Sequence, residues 1–222
     1  MLLREFDLDL PEENKDLRHQ FRNDVRCIAA QYFSFFPKKF KTNGFWKVLV
    51  ECSSEEGLPH IYMKVMTVKV VFDFERYLLL DKIEKKKSIL HALNIGLLKV
   101  SQGQGWDPLL LEDCFRNVVA SAYDFHWVFK KTKKNPARKL VAQITCHHDL
   151  DEFTAKLCVS DLSGSLVFEC LLVDEDPNEF AFAYKLGDFK WLSNQDIAFY
   201  NKQNDLVAKI DINAKMTMFL QS

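Results

Sequence analysis

The feature that most constrains this chain is a change of hydrophobic period. Up to about Phe125 the apolar residues mostly recur every three or four positions; beyond it they alternate, and turn residues interrupt them at short intervals. A period of 3.6 buries one stripe of a helix, and a period of 2 buries one face of a strand. The expected class is therefore α+β: a helix-rich part over about residues 1–123, then an antiparallel β-sheet meander over about 124–222.

In the first part, Phe6, Leu8 and Leu10 alternate with charged residues as a short strand does, and Pro11, Glu12 and Glu13 open a helix at its positive end. Leu17, Phe21, Val25, Ile28, Ala29, Tyr32, Phe33 and Phe36 keep helical spacing as far as Pro37. Asn43-Gly44 turns into FWKVLVECS, and this β-rich run and PHIYMKVMTVKVVFDF suit a hairpin. Asp81 caps a second helix whose inner face is Ile89, Leu93, Gly96, Leu97 and Val100, with Gly103 and Gly105 as its stop. Asp107-Pro108 starts a third, with Cys114, Phe115, Val118, Val119 and Ala122 inward. These three helices are expected to cover the meander.

The second part carries turn signals at Asn135-Pro136, DLDE, Ser163-Gly164, Asp176-Pro177-Asn178, Gly187-Asp188 and Gln203-Asn204-Asp205. Around them, alternation places Phe125, Trp127, Phe129, Leu140, Ala142, Ile144, Cys146, Phe153, Ala155, Leu157, Val159, Leu166, Phe168, Cys170 and Leu172 inward, then Phe180, Phe182, Tyr184, Ile197, Phe199, Leu206, Ala208, Ile210 and Ile212. No repeat, low-complexity tract or linker divides the chain, so residues 1–222 are expected to form a single domain.

One octapeptide, Cys146 to Phe153, reads CHHDLDEF and crowds a cysteine, two histidines and three acidic residues together. In a regular strand successive side chains point to opposite faces, so His147 and His148 do not ligate one metal. A two-residue turn at Leu150-Asp151 pairs His148 with Phe153, His147 with Thr154 and Cys146 with Ala155, and the apolar parity then agrees on both strands. Carried onward, the same register puts Cys146, Ala155 and Cys170 in one row, the sulfurs roughly 9–10 Å apart and out of disulfide reach. The octapeptide reads as a strand end and an acidic turn, with no metal and no cofactor assigned.

Charge and composition narrow the partners. Thirty basic residues against 31 acidic ones give the chain no overall attraction to nucleic acid or to anionic lipid. With no signal-peptide pattern and no run of 18 uncharged apolar residues, a cytoplasmic protein is expected. Six cysteines scattered through apolar segments without a CxxC suit reduced thiols. No HExxH, phosphate-binding loop, GxGxxG after a strand, GxSxG, EF-hand or zinc-finger spacing occurs, and no catalytic residue is assigned. The Gly103–Gly105 stretch reads as a helix stop, Glu84 to Lys87 as a solvated face, and the basic run Lys130 to Lys139 as a hairpin tip without the aromatics that stack bases.

Because hairpin ends alternate along a meander, the basic loop belongs at one end, with Asp161 to Gly164 and Gly187-Asp188. The other is expected to gather Asp149, Asp151, Glu152, Asp174, Glu175, Asp176, Glu179 and Asp196. An acidic rim of this kind steers a basic partner. The run FDFERYLLLDKIEKKKSILHALNIGLLKVSQGQGWD, with WVFKK, GDFKW and DIAFYNK after it, resembles small bacterial immunity-type proteins over roughly residues 72 to 201. Such proteins neutralise polymorphic or contact-dependent toxins by binding them and carry no shared catalytic residues. The resemblance implies a non-enzymatic antitoxin that occludes the active site or substrate access of a cognate toxin domain. Two other readings follow from the residues: a metal-dependent hydrolase using His147 or His148 with Asp149 or Asp151, and a scaffold whose strand edge or N-terminal helix pairs with another copy.

Overall fold

The computed structural model describes residues 1–12 and 15–220. The chain forms two compact units, Met1–Phe125 and His126–Ser222, and the boundary falls where the hydrophobic period changes. The class is α+β; among the described residues there are five helices, a mixed sheet in the first unit and two antiparallel four-stranded meanders in the second.

The first unit runs β1 (Glu5–Asp9), α1 (Lys15–Phe35), β2 (Lys47–Ser53), β3 (His60–Tyr62), β4 (Val65–Val71), α2 (Phe74–Leu78), α3 (Lys82–Gln104) and α4 (Pro108–Ala120). The expected helix is α1, although Glu13 lies outside the described residues. Its buried stripe is Phe21, Val25, Ile28, Ala29 and Tyr32, while Leu17, expected inward, is exposed. In α3 the Asp81 side chain accepts from the Glu84 backbone N–H at 2.9 Å, and Gly105 ends the helix in the left-handed region at φ 66°. Gly103 sits inside the helix and stops nothing. In α4 the buried face is Leu111, Cys114 and Val118; Val119 and Ala122 are exposed.

The two β-rich runs do not form the expected hairpin. The sheet order is β1-β2-β4-β3, with β1 and β4 both parallel to β2 and only β3 antiparallel, to β4. The hairpin lies within the second run: Met63 and Lys64, at φ 46° and 66°, turn β3 straight back into β4. The chain thereby enters β4 from the same end as β2. Alternate residues Phe6 and Leu8, Val48 and Val50, and Met66, Val68 and Val70 are all buried; α1 packs on β1, and α3 packs on β2 and β4. The lysines at the start of α3 are not simply a solvated face. Lys86 is buried and its ammonium donates to the Tyr123 carbonyl oxygen at 3.0 Å.

The second unit runs β5 (His126–Lys134), β6 (Leu140–His148), β7 (Phe153–Asp161), β8 (Leu166–Glu175), α5 (Glu179–Phe182), β9 (Asp188–Trp191), β10 (Asp196–Tyr200), β11 (Leu206–Asp211) and β12 (Met216–Phe219). These strands pair in sequence order as two sheets, β5-β6-β7-β8 and β9-β10-β11-β12. One core joins them, with Ile144, Leu157 and Val159 from the first sheet and Phe189, Phe199 and Ile210 from the second. The inner face expected to need a helical cover is thus met by a second meander, the alternation having supplied two apolar faces rather than one. Where a further strand was expected, Asn178 caps the short α5, which buries Phe182 and leaves Phe180 and Tyr184 exposed. Leu166, also expected inward, is exposed.

Candidate functional site

The expected β6–β7 register is found residue for residue: Cys146 faces Ala155, His147 faces Thr154 and His148 faces Phe153. The Asp149 backbone N–H donates to the Glu152 carbonyl at 2.9 Å, which closes a two-residue turn over Leu150 and Asp151. The onward register to β8 does not hold, because shifts after Ala155 and Val159 move Cys170 opposite Leu157 and bring Val173 opposite Ala155.

The two histidines divide as strand alternation requires. His148 is buried at 2% exposure, edge-on to Phe153 and Phe182, and its Nε2 donates to the Pro177 carbonyl oxygen at 2.8 Å. Phe153 and Phe182 stack at 3.7 Å. This knot ties the Asp176–Asn178 turn and α5 to the β6–β7 turn, so the imidazole serves packing rather than chemistry. His147 points to the other face, where its ring stacks on His126 from the neighbouring strand, with centroids 4.2 Å apart and planes 12° apart. The register places His126 opposite His147. Sequence reasoning assigned His126 no role; parity carried back from Cys146 to Trp127 is the signal that finds it.

The acidic turns gather largely as expected. Thr154 pairs with Asp174 and Phe153 with Glu175, so the β6–β7 turn and the end of β8 lie at one edge of the same sheet. Asp151, Glu152, Asp174 and Asp176 are exposed there, and Glu179 follows on α5. Asp149 is buried at 8% exposure and accepts the Leu150 N–H at 2.8 Å, which makes it a turn former. Glu175 is bound by Lys185, and that bond raises the pKa of the lysine. Asp196 is not part of the rim. Its side chain accepts from the Ser193 hydroxyl, and the adjacent Asn194 joins Asn135 and Ala137 at the tip of the β5–β6 hairpin, the basic end. Asp188 also belongs with the basic strand: burial opposes its ionisation, but the Lys133 ammonium at 2.7 Å outweighs that and lowers its pKa.

Beside the rim opens a cleft of about 380 Å³ in which Asp174 and Glu175 border an apolar floor of Leu172, Val173, Phe199 and Phe219. Phe219 is 54% exposed. A second cleft, of about 440 Å³, lies along Trp127, Phe129, Phe182 and Leu186. The thiols offer little nucleophilic chemistry. Burial pushes Cys114 up to about 11 and Cys146 up to about 12, and also raises Cys158 and Cys170. None of the six cysteines is in a disulfide. No helix among the described residues is long and apolar enough to cross a membrane. Compared with protein-family models, with curated proteins and with solved structures, the chain matches none.

Proposed function

We propose that this chain is a cytoplasmic protein-binding inhibitor of the immunity type, which uses the acidic end of its second unit to hold a basic segment of a cognate toxin domain and so block that domain's active site or substrate access. The observation that carries the reading is the exposed carboxylate of Asp174 at the lip of an apolar cleft, with Asp151, Glu152 and Asp176 around it. Interfaces of high affinity combine a desolvated apolar anchor with flanking charge that steers encounter. The cleft offers the anchor site and the rim offers the charge. The resemblance of residues 72 to 201 to immunity-type proteins points the same way.

The two parts are separable by kinetics. Changing Asp174 and Asp176 together to lysine is expected to lower the association rate roughly tenfold or more at low salt and to flatten its salt dependence. Phe219→Ala is expected to act on dissociation instead. The measurement is surface-based binding kinetics against the candidate toxin domain across a salt series. Unchanged association in the lysine variant removes the rim from the interface.

A further inference from the structure

We infer that the cross-strand pair His126–His147 is a binding site for a divalent transition-metal ion of the zinc class. The two residues stand directly opposite each other on β5 and β6, on the sheet face away from the core. Their ring planes lie 12° apart, and a ligand nitrogen of one comes within 4.8 Å of a ligand nitrogen of the other. Two imidazoles on one tetrahedral zinc have their nitrogens roughly 3.4 Å apart, given Zn–N bonds near 2.0–2.1 Å. The stacked rings hold their in-plane lone pairs side by side, so both side chains must rotate about χ1 and χ2 to break the stack and turn each ring onto the ion, a change that needs no movement of either strand. Imidazole nitrogen selects zinc, copper or nickel over the oxygen-seeking calcium and magnesium.

The surroundings of His147 suit a ligand. Glu152 Oε1 lies 3.9 Å from its Nδ1, and Asp149 Oδ2 lies 4.0 Å from its Nε2. Both contacts are longer than a hydrogen bond, but each carboxylate stands close enough for a side-chain rotation to let it accept the ring N–H that does not face the ion, the partner that orients a metal-bound histidine. His126 is exposed and His147 half-buried, so an ion reaches the pair from solvent. Glu152 borders both this pair and the acidic rim, but the two proposals are tested apart, since the rim variants change Asp174 and Asp176 and the pair variants change His126 and His147.

The test is titration of the full chain with zinc chloride by isothermal calorimetry, checked by native mass spectrometry. One ion per chain is expected. His126→Ala and His147→Ala are each expected to weaken binding by more than the about 10–100-fold that loss of an outer carboxylate costs, whereas His19→Ala and His60→Ala leave it unchanged. Both altered residues lie away from the core, and circular dichroism checks that the variants fold. Cobalt(II) in place of zinc gives an independent reading: intense visible bands in the wild-type chain, lost in both pair variants. Absence of a stoichiometric ion, or binding that survives both pair variants, overturns the assignment.

Discussion

Gly96 in α3 lies against β2 so closely that a methyl group added there meets a wall. A Cβ at this position comes to 2.5 Å from Val50 Cγ2, 2.8 Å from Cγ1 and 3.2 Å from Cβ. Two effects of Gly96→Ala oppose each other. Replacing glycine in a helix interior favours folding by about 0.8–1.0 kcal/mol, while forcing a methyl into a packed core costs about 1–3 kcal/mol. Val50 is fully buried, and because its Cβ is also close, rotation about χ1 does not clear the contact; helix and strand must separate. The upper half of the cost applies, and the net effect is a loss of about 1–2 kcal/mol. Urea denaturation gives the change, and hydrogen exchange on α3 and β2 peptides places it in the first unit. A Val50→Ala change in the same chain removes both clashing carbons, so the pair is expected to show a favourable coupling of about 1 kcal/mol or more in a double-mutant cycle. If Gly96→Ala instead raises stability by the full helical preference, the close packing of α3 on β2 is wrong.

Two further outcomes follow from buried ionisable groups. Burial alone raises the Asp9 carboxyl, but hydrogen bonds from Arg18 and Arg22 and their charges outweigh it and hold its pKa below 3.8. Its contribution is therefore present above that value and lost as pH falls through the lower folded pKa. Asp9→Asn is expected to cost roughly 2 kcal/mol at neutral pH, less than the about 3–5 kcal/mol for a fully buried pair because Arg22 is 45% exposed, and to flatten the acid limb of the stability curve measured by urea melts. With Cys146 pushed to about 12, its thiolate fraction at neutral pH is roughly a thousandfold below that of an ordinary thiol. Mass-resolved alkylation of the native chain is expected to label half-buried Cys158 and Cys170 well before Cys146. Equal rates refute the packing described for it.

Much of this architecture was legible in the residues because local chemistry and burial agree. Asp81, Gly105 and Asp107-Pro108 bound their helices by capping, which needs only neighbours. The CHHDLDEF register followed from parity on both sides of a short turn. What escaped depends on distant partners or on unmarked turns. Met63-Lys64 reverses the chain without the asparagine or glycine that signals such a turn, so the pattern suits an antiparallel hairpin where β4 runs parallel to β2. Register shifts in β7–β8 moved Cys170 off its expected row, and alternation cannot say whether a strand's inner face meets a helix or another sheet. At the site, seven of the eight rim residues lie at or beside the expected end; Asp196 misses it because Asn194 anchors its turn to the other hairpin. His126 is placed by the β5–β6 register, which the parity of Trp127 against Cys146 carries but no turn residue marks.

The β5–β8 sheet ends in acidic turns at His148 and in the Lys134, Arg138 and Lys139 hairpin at Leu140. Nine residues of β6 hold those opposite charges a strand length, roughly 30 Å, apart. A chain with almost no net charge thus carries a lengthwise dipole in this unit. Net charge governs how strongly a molecule is drawn from afar, whereas a dipole governs how it turns on arrival. In the field of a basic surface this unit swings its acidic edge forward before any contact forms, so fewer of its encounters are misaligned.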